Sequence, residues 1–264
     1  MGNVVDTDIS RAILDSYHAK FAGALRSDVV IVGAGPSGLM AAWRLAQGSR
    51  RVVVLEKRLS PGGGIWGGSL GMNEVVVQKE ALRILDEAGV RHQPSGHLFT
   101  SDAMELASAL CLKALHAGAI LLNLMTAGDV CVRSGRVNGV VANRSMLADS
   151  LPIDPIVFPA GAMIGATGHD AVLARCLQRR GLLEAGRLPG EGPMDAQADE
   201  QFVVDHVNEL LPGLWTTGMS VCASQGGPRM GPIFGGMLLS GEPVAEDVHR
   251  SLSNSEYNGG GIPS

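Results

Sequence analysis

The sequence predicts an α/β fold, and three observations carry that prediction. Val29-Val30-Ile31-Val32 is a continuous β-branched run of the kind buried on both faces in a parallel strand. GAGPSG comes at once over residues 33–38, and LMAAWRLAQ then has helical composition up to Gly48. A second apolar run from Arg51 to Leu55 closes the strand–helix–strand unit on Glu56. Together these predict a Rossmann-like dinucleotide-binding fold of the FAD/NAD-binding type. VCVRSGRVNGVVA, with its tight Ser134-Gly135 turn, adds an inserted β-hairpin or small sheet.

The other elements can be taken in chain order. Ile9, Ala12, Ile13, Tyr17 and Phe21 lie at helical spacing, so an amphipathic first helix ending near Gly23 is expected to pack on the rest of the domain. Residues 57–71 are too glycine-rich for regular structure, and Trp66 among the glycines suggests an ordered lid over a ligand. Helices are predicted at about 75–88 and 102–117, and a strand near 119–122, whereas residues 143–160 look irregular. AMIGATGHD predicts a strand ending in a turn, and 170–180 a helix. The polar stretch Glu184 to Asp199 is expected to be mobile, with a strand near 202–204 after it, then the strand and turn of LWTTGM, and a last helix from Pro232 to His249. Residues 251–264 predict a flexible tail. No repeat or linker divides the chain, so residues 1–264 are expected to form a single domain.

Composition removes several function classes. The 264 residues are 45 % hydrophobic, enough for a sizeable core. The 21 Lys and Arg fall short of the 26 Asp and Glu, leaving a net charge of -5, so a basic nucleic-acid-binding face is not expected. No apolar stretch approaches a membrane span, and Cys111, Cys131, Cys176 and Cys222 form no CxxC pair. A cytoplasmic protein without disulfides is expected. The 36 glycines are clustered, as where backbone lies close to a ligand.

The most informative cluster is Gly33, Gly35 and Gly38, a GxGxxG between strand and helix. There the helix N-terminal amides, with Ala34, Pro36 and Ser37 between the glycines, can hold a pyrophosphate. Glu56 stands 23 residues beyond the first glycine, where an acid binds the adenosine ribose hydroxyls. Lys57, Arg58, Gly63 and Gly64 extend the expected nucleotide site. The fingerprint does not separate NAD from FAD. The glycine-rich elbow, the hairpin and the GLWTTGM turn also resemble the nucleotide domain of two-dinucleotide flavoproteins, although Thr217-Gly218-Met219 stands where those enzymes carry an Asp. A flavin-dependent oxidoreductase is therefore a second reading.

VVIVGAGPSG, LEKRLSPGGGIWGGS, DPIV, GATGHD and PRMGPIFGGMLLSG, taken together, resemble the thiamine thiazole synthase family over about Ile9 to Arg250. The resemblance implies that NAD is a substrate: nicotinamide leaves, glycine condenses with the opened ADP-ribose, sulfur is inserted, and cyclisation gives an adenylated thiazole carboxylate. It implies Fe(II) held by Asp154 and His169, completed by a substrate-derived imine or a neighbouring chain. By spacing alone this pair is a poor signal for metal, because a turn Asp before Pro and a turn His are commonly only hydrogen-bonded caps. Arg229 is the implied partner for the glycine carboxylate, since a guanidinium holds a carboxylate through two parallel bonds. Met219, Met230 and Gly231 join it at the expected nucleotide site.

Single-turnover members of the family donate sulfur from a cysteine two residues before the Asp-Pro pair, and sulfide-using members usually carry His there. This chain has Pro152, which has no sulfur to donate, so the sulfide-using branch is implied, with glycine and sulfide as co-substrates. Glu200-Gln201, in the region where the single-turnover branch has a His-Asp pair, favours the same branch. Cys222, seven residues before Arg229, is a candidate sulfur site or a small semi-buried residue. A homo-octamer is implied. The lack of His or Cys at position 152 keeps a third reading open, a nucleotide-binding relative without sulfur transfer.

Overall fold

A computed structural model describes residues 4–147, 153–184, 186 and 188–257. Its central sheet runs in the order β11 (Asn208–Leu211), β12 (Leu214–Thr216), β10 (Ala162–Gly165), β1 (Val29–Val32), β2 (Val52–Glu56) and β6 (Ile120–Asn123). All neighbours are parallel except β11 with β12. The β-branched runs explain its centre. Val29, Ile31, Val52 and Val54 point into one core, and Val30, Val32, Val53 and Leu55 into the other. Each such side chain, fully buried, contributes about 1.5–3 kcal/mol, which is why these strands read as unbroken apolar runs.

Helices α2 (Pro36–Gln47), α4 (Ala103–His116) and α8 (Gly235–Tyr257) cover the first face. Pro36 suits the first turn of α2, and the Asp102 carboxylate caps α4 by accepting from Glu105 N at 2.8 Å. Gly241 lets α8 close on α2: a Cβ there would lie 2.4 Å from Met40 Cβ. On the opposite face lies an antiparallel sheet of β7 (Met125–Arg133), β8 (Arg136–Arg144) and β9 (Ile156–Pro159), with α5 (Val172–Arg179). The turn between β7 and β8 has Ser134 at φ 50° and Gly135 at φ 75°, the left-handed pair a two-residue hairpin turn requires. The expected insertion is thus a three-stranded sheet. A second small sheet is formed by β3 (Glu74–Val77), β5 (Leu98–Asp102) and β4 (Gln93–Ser95).

Several elements differ from expectation. The helix expected at 75–88 begins as β3, because Val75 and Val77 bury one face of a β-branched run against β5; only Leu82–Ala88, α3, is α-helical. Residues 202–204 lie inside α6 (Ala196–Asp205), which Asp195 caps through Ala198 N at 3.1 Å, and the strand comes later as β11. Residues 156–159 are the strand β9 and not irregular chain. Met219–Gln225 forms an unforeseen short helix, α7, and α8 continues to Tyr257, so residues 251–257 are helix. Residues 258–264 of the expected tail lie outside the described residues.

The first helix, α1 (Asp6–Ala24), is correctly placed, but Ile9 and Ile13 are exposed. Only its second half docks, where the Arg144 guanidinium lies 4.8 Å over the Tyr17 ring and Phe21 meets Phe158 edge-on at 5.6 Å. Among the described residues no helix is long and apolar enough to cross a membrane.

Candidate functional site

A cavity of about 760 Å³ opens beyond the carboxyl ends of β1, β2 and β10, where Val32, Leu55 and Ala166 reach its wall. This is the place an open parallel sheet offers a ligand, because β1 has β2 on one side and β10 on the other and the crossovers leave in opposite directions. One end is backbone. Gly33 turns the chain at φ 101°, and a Cβ there would lie 2.3 Å from Ala166 O; a Cβ on Gly38 would lie 2.1 Å from Gly33 O. Gly35 has ordinary extended dihedrals and open space beside it, so it leaves room for a ligand. Gly63 comes from the second glycine loop to meet it: a Cβ on Gly63 would lie 2.9 Å from Gly35 Cα.

Gly33, Gly35, Pro36, Ser37, Glu56, Lys57, Arg58, Gly63, Gly64, Met219, Met230 and Gly231 line the cavity. Ala34 and Gly38 stand behind the lining, Ala34 by donating its N–H to Glu56 Oε2 at 2.8 Å and Gly38 by packing α2 on β1. Glu56 Oε1 accepts from Arg58 N, also at 2.8 Å, so the buried carboxylate is fixed by main-chain amides. Lys57 pairs with Asp170 at 3.3 Å.

Trp66 is not a lid. It is absent from the lining, and its indole N–H turns back to the Pro61 carbonyl; the large side chain that the loop buries is Ile65.

The other end is built from loops. His169 sits on the 3-10 turn Gly168–Asp170 after β10, held by Ser220 Oγ on Gly168 O at 3.1 Å and by Val172 N on Thr167 Oγ1 at 2.8 Å. Arg229, exposed at the cavity, makes no side-chain ion pair among the described residues. Its backbone is laced to the stretch expected to be mobile: Arg229 N donates to Pro193 O at 3.1 Å, Asp195 N to Arg229 O at 3.1 Å, and Gly192 N to Gly227 O at 2.8 Å. The polar segment therefore forms part of the wall. It carries Glu191, absent from the expected site, whose Oε1 lies 2.6 Å from His169 Nδ1. Glu191 had no sequence signal because it shares no motif or periodicity with His169.

Asp154 is the other ligand that the resemblance implies. It is exposed, two residues before β9, and outside the cavity lining, so the cavity of one chain presents His169 without it. No group of three or more potential metal ligands occurs among the described residues. Pro152 lies outside the described residues.

Cys222 lies outside the cavity lining. Its fully buried Sγ donates to the buried Asp199 Oδ1 at 2.9 Å, and burial, reinforced by that carboxylate, pushes the thiol well above its usual range. A thiol held protonated is a poor nucleophile. Burial likewise raises Asp199, with the Glu191 charge adding to it. Next to it Glu200 is pushed up to about 7, chiefly by burial, while accepting from Gly236 N at 2.6 Å.

Comparison with known proteins agrees with this arrangement. A profile of the Thi4 family matches residues 10–234. The thiamine thiazole synthase of Thermococcus kodakarensis is 46 % identical over 94 % of this chain and 98 % of its own, and that of Thermotoga maritima 46 % over the same shares. The crystal structure of Thermovibrio ammonificans THI4 superposes with a TM-score of 0.92 at 40 % identity, covering 96 % of this chain and all of that one. The glycine loop, the acid that closes it and the laced loops around His169 and Arg229 thus sit in a known framework: this chain belongs to the Thi4 family.

Proposed function

We propose that the chain is a sulfide-dependent thiazole synthase, converting NAD, glycine and sulfide to an adenylated thiazole carboxylate with release of nicotinamide, over many turnovers. The observation that carries this reading is one continuous cavity with a glycine-rich backbone loop at one end and, at the other, an imidazole and a guanidinium without an ion pair among the described residues. The glycine loop and the amino end of α2 hold the pyrophosphate. Glu56 orients the ribose hydroxyls, and Lys57 lies beside it. Arg229 clamps the carboxylate that glycine brings, which fixes the amine near the opened ribose. Met219 and Met230 supply an apolar, water-poor wall.

His169 fits a metal: its Nδ1 is engaged by Glu191, and Nε2 has no hydrogen bond among the described residues. Fe(II) would be held there with Asp154. Because Asp154 lies outside its own cavity, the second ligand is assigned to a neighbouring copy, in keeping with a homo-octamer. When bound, the ion would polarise substrate oxygen or nitrogen and accept sulfide. Sulfur comes from sulfide because Pro152 has none and Cys222 is sealed against Asp199. A cytoplasmic location is part of the same reading.

The test is an anaerobic reaction of the full chain with NAD, glycine, sulfide and Fe(II), counting adenylated thiazole per chain by mass spectrometry. More than one product per chain is expected, and His169→Ala should abolish product while leaving NAD bound. No product from a folded, NAD-binding protein overturns the synthase reading in favour of a relative without sulfur transfer, or of an oxidoreductase if denaturation releases flavin.

A further inference from the structure

We propose that Glu191 is the positioning residue for His169: it fixes the imidazole's tautomer and rotation so that Nε2 is the nitrogen offered to the cavity. The inference rests on the reading of His169 as a working group of the site. The 2.6 Å contact between Glu191 Oε1 and His169 Nδ1 joins residues on separate segments, and the Glu191 side chain is only 14 % exposed although the imidazole is half-exposed. An ionised carboxylate only accepts, so Nδ1 donates and the Nε2 lone pair is left free.

Both ends of the contact are held. His169 is locked between Thr167 and Ala171, the latter in the left-handed region at φ 40°, an uncommon conformation for a residue with a Cβ. Glu191 is fixed by the neighbouring backbone bond Gly192 N to Gly227 O and by Pro189, whose Cγ would lie 2.9 Å from a Cβ on Gly226. The same lacing holds Arg229, so one segment sets the imidazole and the guanidinium together. Such a carboxylate behind an imidazole orients it and raises its basicity, and its loss typically costs 10–100-fold in metal affinity.

The experiment uses the full chain with two readouts. Solid-state 15N NMR of histidine-labelled apoprotein, with the His169 signals assigned by their absence in His169→Ala, reports the tautomer directly. Titration with Co(II) reports affinity at the same site, and NAD binding reports integrity. The wild type should show Nδ1-protonated His169. Glu191→Ala should move the ring to the Nε2-protonated tautomer and weaken Co(II) by 10–100-fold with NAD affinity unchanged, whereas Glu191→Gln, whose amide oxygen still accepts from Nδ1, should retain the tautomer and most of the affinity. An unchanged tautomer in Glu191→Ala overturns the proposal whatever Co(II) does. A shifted tautomer with Co(II) affinity unmoved by both Glu191→Ala and His169→Ala supports the positioning role and overturns the metal role of His169.

Discussion

The two ends of the cavity are built on opposite principles. At the nucleotide end, position is set by main chain: Gly33 and Gly38 allow contacts no Cβ permits, and both oxygens of buried Glu56 are bonded to amides within its own strand–helix–strand unit. At the reaction end, His169, Asp170 and Arg229 are exposed side chains on turns, held by segments far away in sequence. Behind them, Asp199 keeps one buried oxygen without a partner among the described residues. The contrast teaches that the glycine end is fixed mostly by backbone within one local unit, with Gly63, Met219, Met230 and Gly231 added from elsewhere, whereas the side chains of the other end are left exposed. Unsatisfied polar groups cost stability, and they persist where function requires them.

The largest effect that would test this division comes from glycine substitutions in one motif. Gly38→Val forces a Cβ to within 2.1 Å of Gly33 O, backbone that cannot yield, so the chain should lose about 3 kcal/mol or more, seen as insoluble protein or a collapsed thermal midpoint. Gly35→Ala is the contrasting case. Its dihedrals suit alanine and no atom lies within 4 Å of the added methyl, so the midpoint should hold while NAD affinity falls at least about tenfold, the methyl occupying the space of the pyrophosphate. Calorimetry with and without NAD separates the two. Normal NAD binding by Gly35→Ala would break the claim that backbone proximity completes this end.

The same division explains what was legible in the sequence. The strands around GAGPSG, Glu56, the Ser134-Gly135 turn and the LWTTGM strand were readable because each is a local pattern whose meaning does not depend on distant chain. Trp66 misled because an aromatic among glycines suggests a lid, whereas its N–H bonds its own loop at Pro61. Residues 75–77 and 202–204 misled because tertiary pairing outweighs local composition: Val75 finds Ser101 across a sheet, and Phe202 sits in a capped helix. Asp154 and His169 could be named only through a family resemblance, and the place of Asp154 outside the cavity lining was invisible to spacing. Glu191 was hidden in a stretch that composition marks as mobile, and only the ladder to Gly227 and Arg229 reveals its order.

A smaller effect should appear in the pH dependence of stability between about 4.5 and 7. Burial lifts Glu200 to about 7 from 4.5, against the bonds from Gly236 and Gln78 that favour its charge. The unfolded chain gives up this proton first, so the folded state binds more protons between the two values. Its contribution is fully present below about 4.5 and is lost as pH rises through about 7, a change on the order of 3 kcal/mol. Glu200→Gln keeps an acceptor for Gly236 N and supplies a donor for the orphaned Gln78 Oε1, so it should flatten that decline. Thermal midpoints at pH 5 and pH 8 decide the matter: an equal decline in both proteins would remove Glu200 as its source.

The smallest expected effect concerns the thiol. Cys222→Ala deprives Asp199 of its only hydrogen-bond donor among the described side chains, leaving both buried oxygens unpaired, at about 1–3 kcal/mol. Cys222→Ser restores a donor and should recover part of that stability. Turnover with supplied sulfide should be unchanged in both at temperatures where they remain folded, because a buried, protonated thiol neither attacks nor releases sulfur. Thiazole formation that disappears in Cys222→Ala and Cys222→Ser alike, with NAD binding intact, would mean that the reaction end does draw on this sulfur, and the seal between Cys222 and Asp199 would then have to open during the reaction.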